Sequence, residues 1–433
     1  MGILSATRII PSSAASDFLF LGELSLDGRI KPVKGSLSMA LAAKEAGVKG
    51  IIVPVENGPE SAVVEEISVY PARTLHEVVD FLRGLGVIKP EKSDAAVVFK
   101  TDGEEKADFS EVKGQEHIKR ALEVAAAGGH NIIMVGPPGS GKTMLARRLG
   151  GILPPLAFEE AIETTKVFSV IGMLAKGQSL ITERPFRSPH HTISDAGLIG
   201  GGHIPRPGEV SLANNGVLFL DELSEFKKHV LEVLRQPLED SKVTIARAAS
   251  TITYPSAFML VAAMNPCPCG FFADPKHKCH CTFRQIQRHR SKISGPLLDR
   301  IDIHIEVPAV PYKDLAEKTS EEPSRNIKKR VTAARRIQTK RFGGNKKIYC
   351  NSQMANRHIK RDCELDKASL KLLESAMEKL GLSARAYNRI LKISRTIADL
   401  EGEARILPNH IAEAVQYRSL DRGKEWGQGE NVA

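Results

Sequence analysis

Gly136-Pro137-Pro138-Gly139-Ser140-Gly141-Lys142-Thr143 follows the apolar run Ile132-Ile133-Met134-Val135 and leads into Met144-Leu145-Ala146-Arg147-Arg148-Leu149. An apolar strand, a glycine-rich loop and a helix opened by Lys-Thr form the order of a nucleoside-triphosphate phosphate loop. The residue types follow from the chemistry. Glycines let successive backbone N–H groups close around phosphate oxygens, and the helix N-terminus adds partial positive charge. Lys142 is placed to reach the β and γ phosphates, and the Thr143 hydroxyl to ligate Mg²⁺. The stretch Gly136 to Met144 is therefore expected to hold ATP or GTP.

About 80 residues downstream, Val217-Leu218-Phe219-Leu220 ends in Asp221-Glu222. A strand apolar throughout is what a parallel sheet covered on both faces requires. Asp221, emerging at its end, is expected to hold Mg²⁺ through water, and Glu222 to orient the attacking water. This pair turns a binding loop into a hydrolase.

Further strands are expected at 257–263 and 301–307, with helices at 118–127 and 227–238. Alternating β and α elements predict a three-layer α/β domain around a parallel sheet. Before it, strand signals at 18–21 and 50–55, helix-like 36–46 and the run 72–85 read as a small α/β unit over residues 1–90. A polar linker covers 91–108. The nucleotide domain then runs over 109–310, and residues 311–425 read as a helical lid, with helices at 326–341, 367–380, 384–400 and 408–417.

The chain has 433 residues, 61 Lys+Arg against 51 Asp+Glu, and a net charge of +10. That balance favours an anionic partner without naming one. No apolar stretch approaches the ~20 residues of a membrane span, and the N-terminus has no charged region followed by a long apolar one. A soluble cytoplasmic protein is expected. Residues 324–347 carry ten Lys/Arg (325, 328, 329, 330, 335, 336, 340, 341, 346 and 347) and no Asp or Glu. Such a segment can neutralise phosphates and release counterions, or can simply be a solvated helix face.

Taken together, Gly128-Gly-His-Asn131, the phosphate loop, Pro185-Phe-Arg-Ser-Pro-His-His-Thr192, Arg206-Pro-Gly-Glu-Val-Ser-Leu212, Gly216-Val-Leu-Phe-Leu-Asp-Glu222 and Gly295-Pro-Leu-Leu-Asp-Arg-Ile-Asp302 resemble the magnesium-chelatase-like AAA+ proteins of the ComM/YifB type. The resemblance covers roughly residues 12 to 423. It implies a P-loop AAA+ fold and a hexameric ring of identical subunits. In the ComM branch it also implies ATP-driven DNA branch migration during recombination of incoming DNA. By position it assigns Asn265 as the first sensor, between the Mg²⁺ site and the γ-phosphate. Arg300 becomes the arginine finger reaching the neighbouring subunit's ATP, and Arg385 the second sensor on the lid. The family also places a β-hairpin insertion within 159–208, where Arg184, Arg187, His190, His191 and Arg206 could meet phosphates or remain solvated.

The N-terminal segment resembles the later part of a Lon-protease-like domain through Gly22-Glu-Leu-Ser-Leu-Asp-Gly-Arg29, Ala42-Ala-Lys-Glu-Ala-Gly-Val48 and Val53-Pro-Val-Glu-Asn57. Met1-Gly-Ile-Leu falls where the family has the middle of a helix, so a partial domain is expected. Ser36-Leu37-Ser38 stands where a catalytic lysine would be, which argues against proteolysis.

Cys267-Pro-Cys269 and Cys279-His-Cys281 place four of the six cysteines within 15 residues. Four thiolates could close a tetrahedral Zn²⁺ site. CxC is a less typical zinc spacing than CxxC, and reduced loop cysteines remain the alternative. Cys350 and Cys363 receive no role. The leading expectation is an ATP-hydrolysing ring motor that remodels DNA. The alternative is a magnesium-chelatase-type motor subunit that helps insert Mg²⁺ into a porphyrin through partner subunits.

Overall fold

The computed structural model describes residues 1–92, 107–175, 177–247, 250–310, 321–343, 348–418 and 420. Most of the expected linker (93–106), the start and end of the C-terminal region (311–320, 421–425) and Lys346 and Lys347 of the basic segment lie outside them. The chain forms two compact units, one of residues 1–103 with 156–183, the other of 104–155 with 184–433.

In the first unit, β1 (Phe18–Phe20), β2 (Gly50–Pro54) and β3 (Ser68–Ala72) form a parallel sheet with β2 in the middle. Every residue of β2 is buried, as an apolar central strand must be. Strand β3 ends where the run 72–85 begins and has no counterpart in the sequence reading, and within that run a helix spans Leu75–Leu82. Thr74 separates them, its hydroxyl accepting from the Glu77 N–H as an N-cap. Helix α1 (Ser36–Glu45) packs on the helix Phe158–Ile171, and Leu37 and Ala40 share a core with Ala161. Buried Glu60 joins the two helices, accepting from the Leu37 N–H at 3.1 Å and from the Ser169 hydroxyl. Residues 156–183 therefore belong to the N-terminal unit, although they lie within the stretch read as nucleotide domain.

The second unit is built on helix α2 (Glu116–Gly128), strand β4 (Ile132–Val135), helix α3 (Lys142–Ile152), β5 (Phe186–Arg187), β6 (Val217–Leu220), β7 (Lys242–Arg247), β8 (Ser250–Pro255), β9 (Met259–Met264) and β10 (Ile303–Glu306). Among the described residues five strands form one parallel sheet, in the order β10-β4-β9-β6-β5. Strands β4, β6 and β9 are buried along their whole length. On one face Met134, Phe219 and Val261 pack with α2 and α3; on the other Ile133, Leu218 and Leu260 pack with Val230, Leu231 and Leu234. The expected three layers around a parallel sheet are present.

The expected helix 227–238 is two short helices, Lys228–Glu232 and Arg235–Asp240. Strands β7 and β8 form an antiparallel hairpin that no sequence reading anticipated. A smaller hairpin, Gly200–Gly201 with Arg206–Pro207, lies within the insertion region. The Tyr254 hydroxyl donates to the Pro205 carbonyl at 2.9 Å and so ties the two hairpins together.

The C-terminal helices are α5 (Ser324–Arg341), α6 (Lys367–Leu380), α7 (Ala384–Glu401) and α8 (Pro408–Gln416), each within two residues of expectation. Helices α5 and α7 pack on α2, and Ile327, Val331, Ile390 and Ile393 continue the core that contains Leu122 and Leu149. Among the described residues no helix is long and apolar enough to cross a membrane.

Candidate nucleotide site

Strand order brings the site together. Because β9 lies between β4 and β6 and all three run parallel, the phosphate loop, Asn265 and Asp221 emerge at one edge of the sheet. Gly141 opens α3 with φ of +88°, a left-handed conformation that L side chains resist at roughly 1–2 kcal/mol. Gly136 is required for another reason, since a Cβ there would stand 2.1 Å from the Val307 carbonyl oxygen beside β10.

Lys142 is nearly buried. Its ammonium donates to the Gly136 and Pro137 carbonyls, both at 2.8 Å, and more weakly to Ser140 Oγ and Asn265 Oδ1, both at 3.3 Å. Burial lowers its pKa to about 8, with Asp221 acting in the other direction. A polyanion bound at the loop would favour the charged form again. Thr143 Oγ1 donates to Asp221 Oδ2 at 2.6 Å. This pair of hard oxygen donors suits Mg²⁺, which prefers oxygen ligands and keeps several waters. Asp221 Oδ1 accepts from the Glu222 N–H at 2.9 Å, so the Asp221 carboxylate is held from both sides.

Glu222 has φ of +50°, in the left-handed region, where a non-glycine residue is uncommon and often functional. Its carboxylate lies 3.4 Å from His191 Nδ1. His191 stacks on His190, with ring centroids 4.1 Å apart, and stands edge-on to Phe226. The sequence suggested His191 as a phosphate contact; its neighbour here is Glu222. Arg184 and Arg187, suggested with it, are engaged elsewhere. Arg184 donates to the Pro154, Pro155 and Asn215 carbonyls. Arg187 pairs with Glu209 through two bonds of 2.6 and 2.8 Å. Arg206 is exposed on the small hairpin.

Arg300 lies in the turn after the short helix Gly295–Leu298, nearly buried, donating to the Pro296 carbonyl at 2.7 Å and pairing with Glu239. Arg385, at the start of α7, is 61% exposed and lies 3.7 Å from Asp299. The two arginines expected to act on nucleotide are thus brought to one place, around Asp299 and Arg300, and their observed partners are not on the phosphate loop.

The four clustered cysteines converge. Their sulfurs all lie within 4.8 Å of one another, with Cys267–Cys269 at 3.4 Å, Cys269–Cys279 at 3.6 Å and Cys267–Cys279 at 3.8 Å. A tetrahedral zinc with sulfurs at about 2.3 Å needs sulfur–sulfur edges of about 3.8 Å. Residues twelve apart are held at metal-site spacing, and all four are free thiols. Cys350 and Cys363 are buried apart from them.

The basic segment divides by geometry. Arg330 pairs with Glu123 and Glu322, Arg341 with Asp399, and Arg335 donates to the Ala126 and Ala127 carbonyls that end α2. These three side chains fasten α5 to its surroundings. Arg325, Lys328, Lys329, Arg336 and Lys340 are exposed on the same helix.

The chain is similar to known proteins over nearly its whole length. The family model described as magnesium chelatase, subunit ChlI, matches residues 108–315. Its C-terminal counterpart matches 321–418, and a third, subunit ChlI of Mg-chelatase, matches 1–57. Competence protein ComM of Haemophilus influenzae is 44% identical over 98% of this chain and 82% of its own length. The uncharacterized protein YifB of Escherichia coli is 41% identical over 98% and 81%. The magnesium-chelatase 38 kDa subunit of Rhodobacter capsulatus is 27% identical over 36% of this chain and 50% of its own length. With a parallel sheet carrying a phosphate loop and a carboxylate pair at one edge, and relatives matched over nearly the whole of this chain, the chain belongs to the magnesium-chelatase-like family that includes ComM and YifB.

Proposed function

We propose that this chain is the subunit of a hexameric AAA+ ring that hydrolyses ATP with Mg²⁺ and uses the energy to remodel DNA, as in branch migration. One observation supports it above the others: Lys142, Thr143, Asp221, Glu222 and Asn265 meet at one sheet edge, while Arg300 and Arg385 gather around another turn. Such a division is suited to a site completed by a neighbouring subunit. The C-terminal helices are the lid of this motor in sequence position, but Arg385 beside Asp299 favours service to a neighbour's nucleotide. Residues 1–90 are read as a Lon-like α/β domain, with Ser36-Leu37-Ser38 at the place of a catalytic lysine.

In this reading Lys142 neutralises β- and γ-phosphate charge, and Thr143 and Asp221 hold Mg²⁺, which supplies further charge neutralisation. Glu222 orients the attacking water, and release of its carboxylate from His191 frees it to do so. Asn265, already 3.3 Å from the Lys142 ammonium, fixes the γ-phosphate side. The DNA reading is tested by ATP turnover with no DNA, duplex, forked and four-way DNA. Branched substrates should raise the rate, and indifference to all of them would refute it. A chelatase motor is the second reading, favoured by the family descriptions; it predicts no response to DNA.

The exposed face of α5, together with Arg206, Lys242 and Arg247 on the hairpins, is the DNA surface in this proposal. Replacing Lys328, Lys329, Arg336 and Lys340 with Ala should weaken binding equally for all sequences. The slope of log K against log salt should fall by about 0.9 for each phosphate that is no longer neutralised. Arg335→Ala should behave differently. It takes a donor from each of two carbonyls at a buried helix end, of which Ala127 keeps Gln338, so it should lower the melting temperature and leave the salt slope unchanged. An unchanged slope in the fourfold variant returns α5 to the solvated class.

Zinc at Cys267, Cys269, Cys279 and Cys281 is the second cofactor of the proposal. Protein expressed with ample metal should contain about one zinc per chain by elemental analysis, and Cys279→Ser/Cys281→Ser should contain none. Wild-type protein free of zinc would leave the cluster as reduced thiols.

A further inference from the structure

Cys267 stands two residues beyond Asn265, and the loop it opens stays against the nucleotide site. Gly270, with φ of +86°, lies so near the phosphate loop that a Cβ there would be 2.4 Å from Pro138 Cδ. Phe272 lies under the Arg290 guanidinium, 4.8 Å from its ring centre, and Arg290 also donates to the Pro266 carbonyl. At the loop's tip, Asp274 accepts from the Lys276 and His277 N–H groups at 2.7 and 2.9 Å. Helix α4 (Phe283–Arg290) closes the return, His289 bonding to the Asn265 carbonyl at 3.1 Å. The loop is thus anchored at both ends beside Asn265, and its two ends carry the four cysteines.

Phe272 and Lys276 line a cavity of about 460 Å³ together with Gly136, Pro137, His117 and Pro308. This is the size of small-molecule sites, ~300–1,000 Å³. The cavity starts where the phosphate loop starts. A triphosphate cradled at Lys142 can therefore extend its nucleoside into it, against a wall made of an aromatic ring and an aliphatic-stemmed lysine.

We infer that the four-cysteine site is a clasp for the nucleoside end of the nucleotide: zinc bound by Cys267, Cys269, Cys279 and Cys281 holds loop 270–278 as the cavity wall, and nucleotide affinity depends on that metal. The inference rests on the reading of the Lys142 loop as an ATP site. Loss of zinc frees the two CxC ends from each other, and the wall they carry loses its fixed place beside Pro138.

The test measures zinc content and the affinity for a fluorescent ATP analogue with Mg²⁺ on the full chain. Protein as purified, stripped with a zinc chelator, and reloaded with zinc are compared. Stripping should weaken binding by at least about tenfold and reloading should restore it. Phe272→Ala leaves all four thiols in place; it should keep its zinc and still bind the analogue several-fold more weakly. Lys142→Ala should lose the nucleotide and keep the zinc, which separates the two readings. If the untreated chain does not bind the analogue, or Lys142→Ala binds it as well as wild type, the ATP reading fails and the clasp with it. A zinc-free wild type, equal affinity in stripped and loaded protein, or unchanged affinity in Phe272→Ala would each overturn the clasp alone.

Discussion

Glu222→Gln should bind ATP as wild type does and hydrolyse it at least about 10²-fold more slowly, the scale of a lost catalytic proton acceptor. Lys142→Ala should fail at the earlier step. Its ammonium is the charge that the buried loop holds ready, whereas Glu222 lies outside the cradle, with its carboxylate on His191 and only its N–H on Asp221. Gln keeps the size of Glu and can still meet His191, so binding geometry is preserved while the negative charge is removed. Nucleotide binding and phosphate release, measured on the same preparations, distinguish the two effects. Hydrolysis by Glu222→Gln at the wild-type rate would remove Glu222 from the catalytic role, and full affinity in Lys142→Ala would displace the phosphate site itself.

The nucleotide edge was legible because its signals are local. A buried strand, a loop with a required left-handed Gly141 and a helix start occupy consecutive residues, and the parallel sheet follows from apolar runs repeated at β6, β9 and β10. The C-terminal helices were legible from their periodicity. What escaped was set by distant partners. Arg335 reads as one basic residue among ten, and only the packing of α5 on α2 shows it bound to the Ala126 and Ala127 carbonyls. The helix Phe158–Ile171 follows the nucleotide helix in sequence, yet its apolar face meets Leu37 and Ala40. His191 carries no sequence signal for Glu222, 31 positions away. The hairpin of β7 and β8 could have been found, since Val243 and Ile245 alternate with exposed neighbours, a period-two pattern. The CxC pairs were ambiguous in sequence because CxC is a less typical zinc spacing than CxxC and their first members lie twelve positions apart. Only the folded loop brings the sulfurs to metal-site spacing.

Arg300→Ala should retain ATP binding and lose about 10³-fold or more in turnover, the effect of a missing arginine finger. Within its own subunit Arg300 is held by Glu239 and the Pro296 carbonyl, so its service to a nucleotide requires that it leave Glu239 for a neighbouring subunit's γ-phosphate. Two consequences separate that action from a merely structural ion pair. Glu239→Gln removes the retaining charge and leaves the arginine, so it should keep turnover, whereas a structural pair would make both variants equally damaging. Mixing is the more direct measurement. Arg300→Ala and Lys142→Ala subunits, each almost inactive alone, should regain activity in mixed rings, because an intact phosphate loop on one subunit can meet an intact Arg300 on the next. With both parents reduced so far, even a few complementing interfaces rise clearly above background. If the subunits exchange and the mixture remains as inactive as its parents, Arg300 does not act across an interface, and the ring mechanism loses the residue on which it turns.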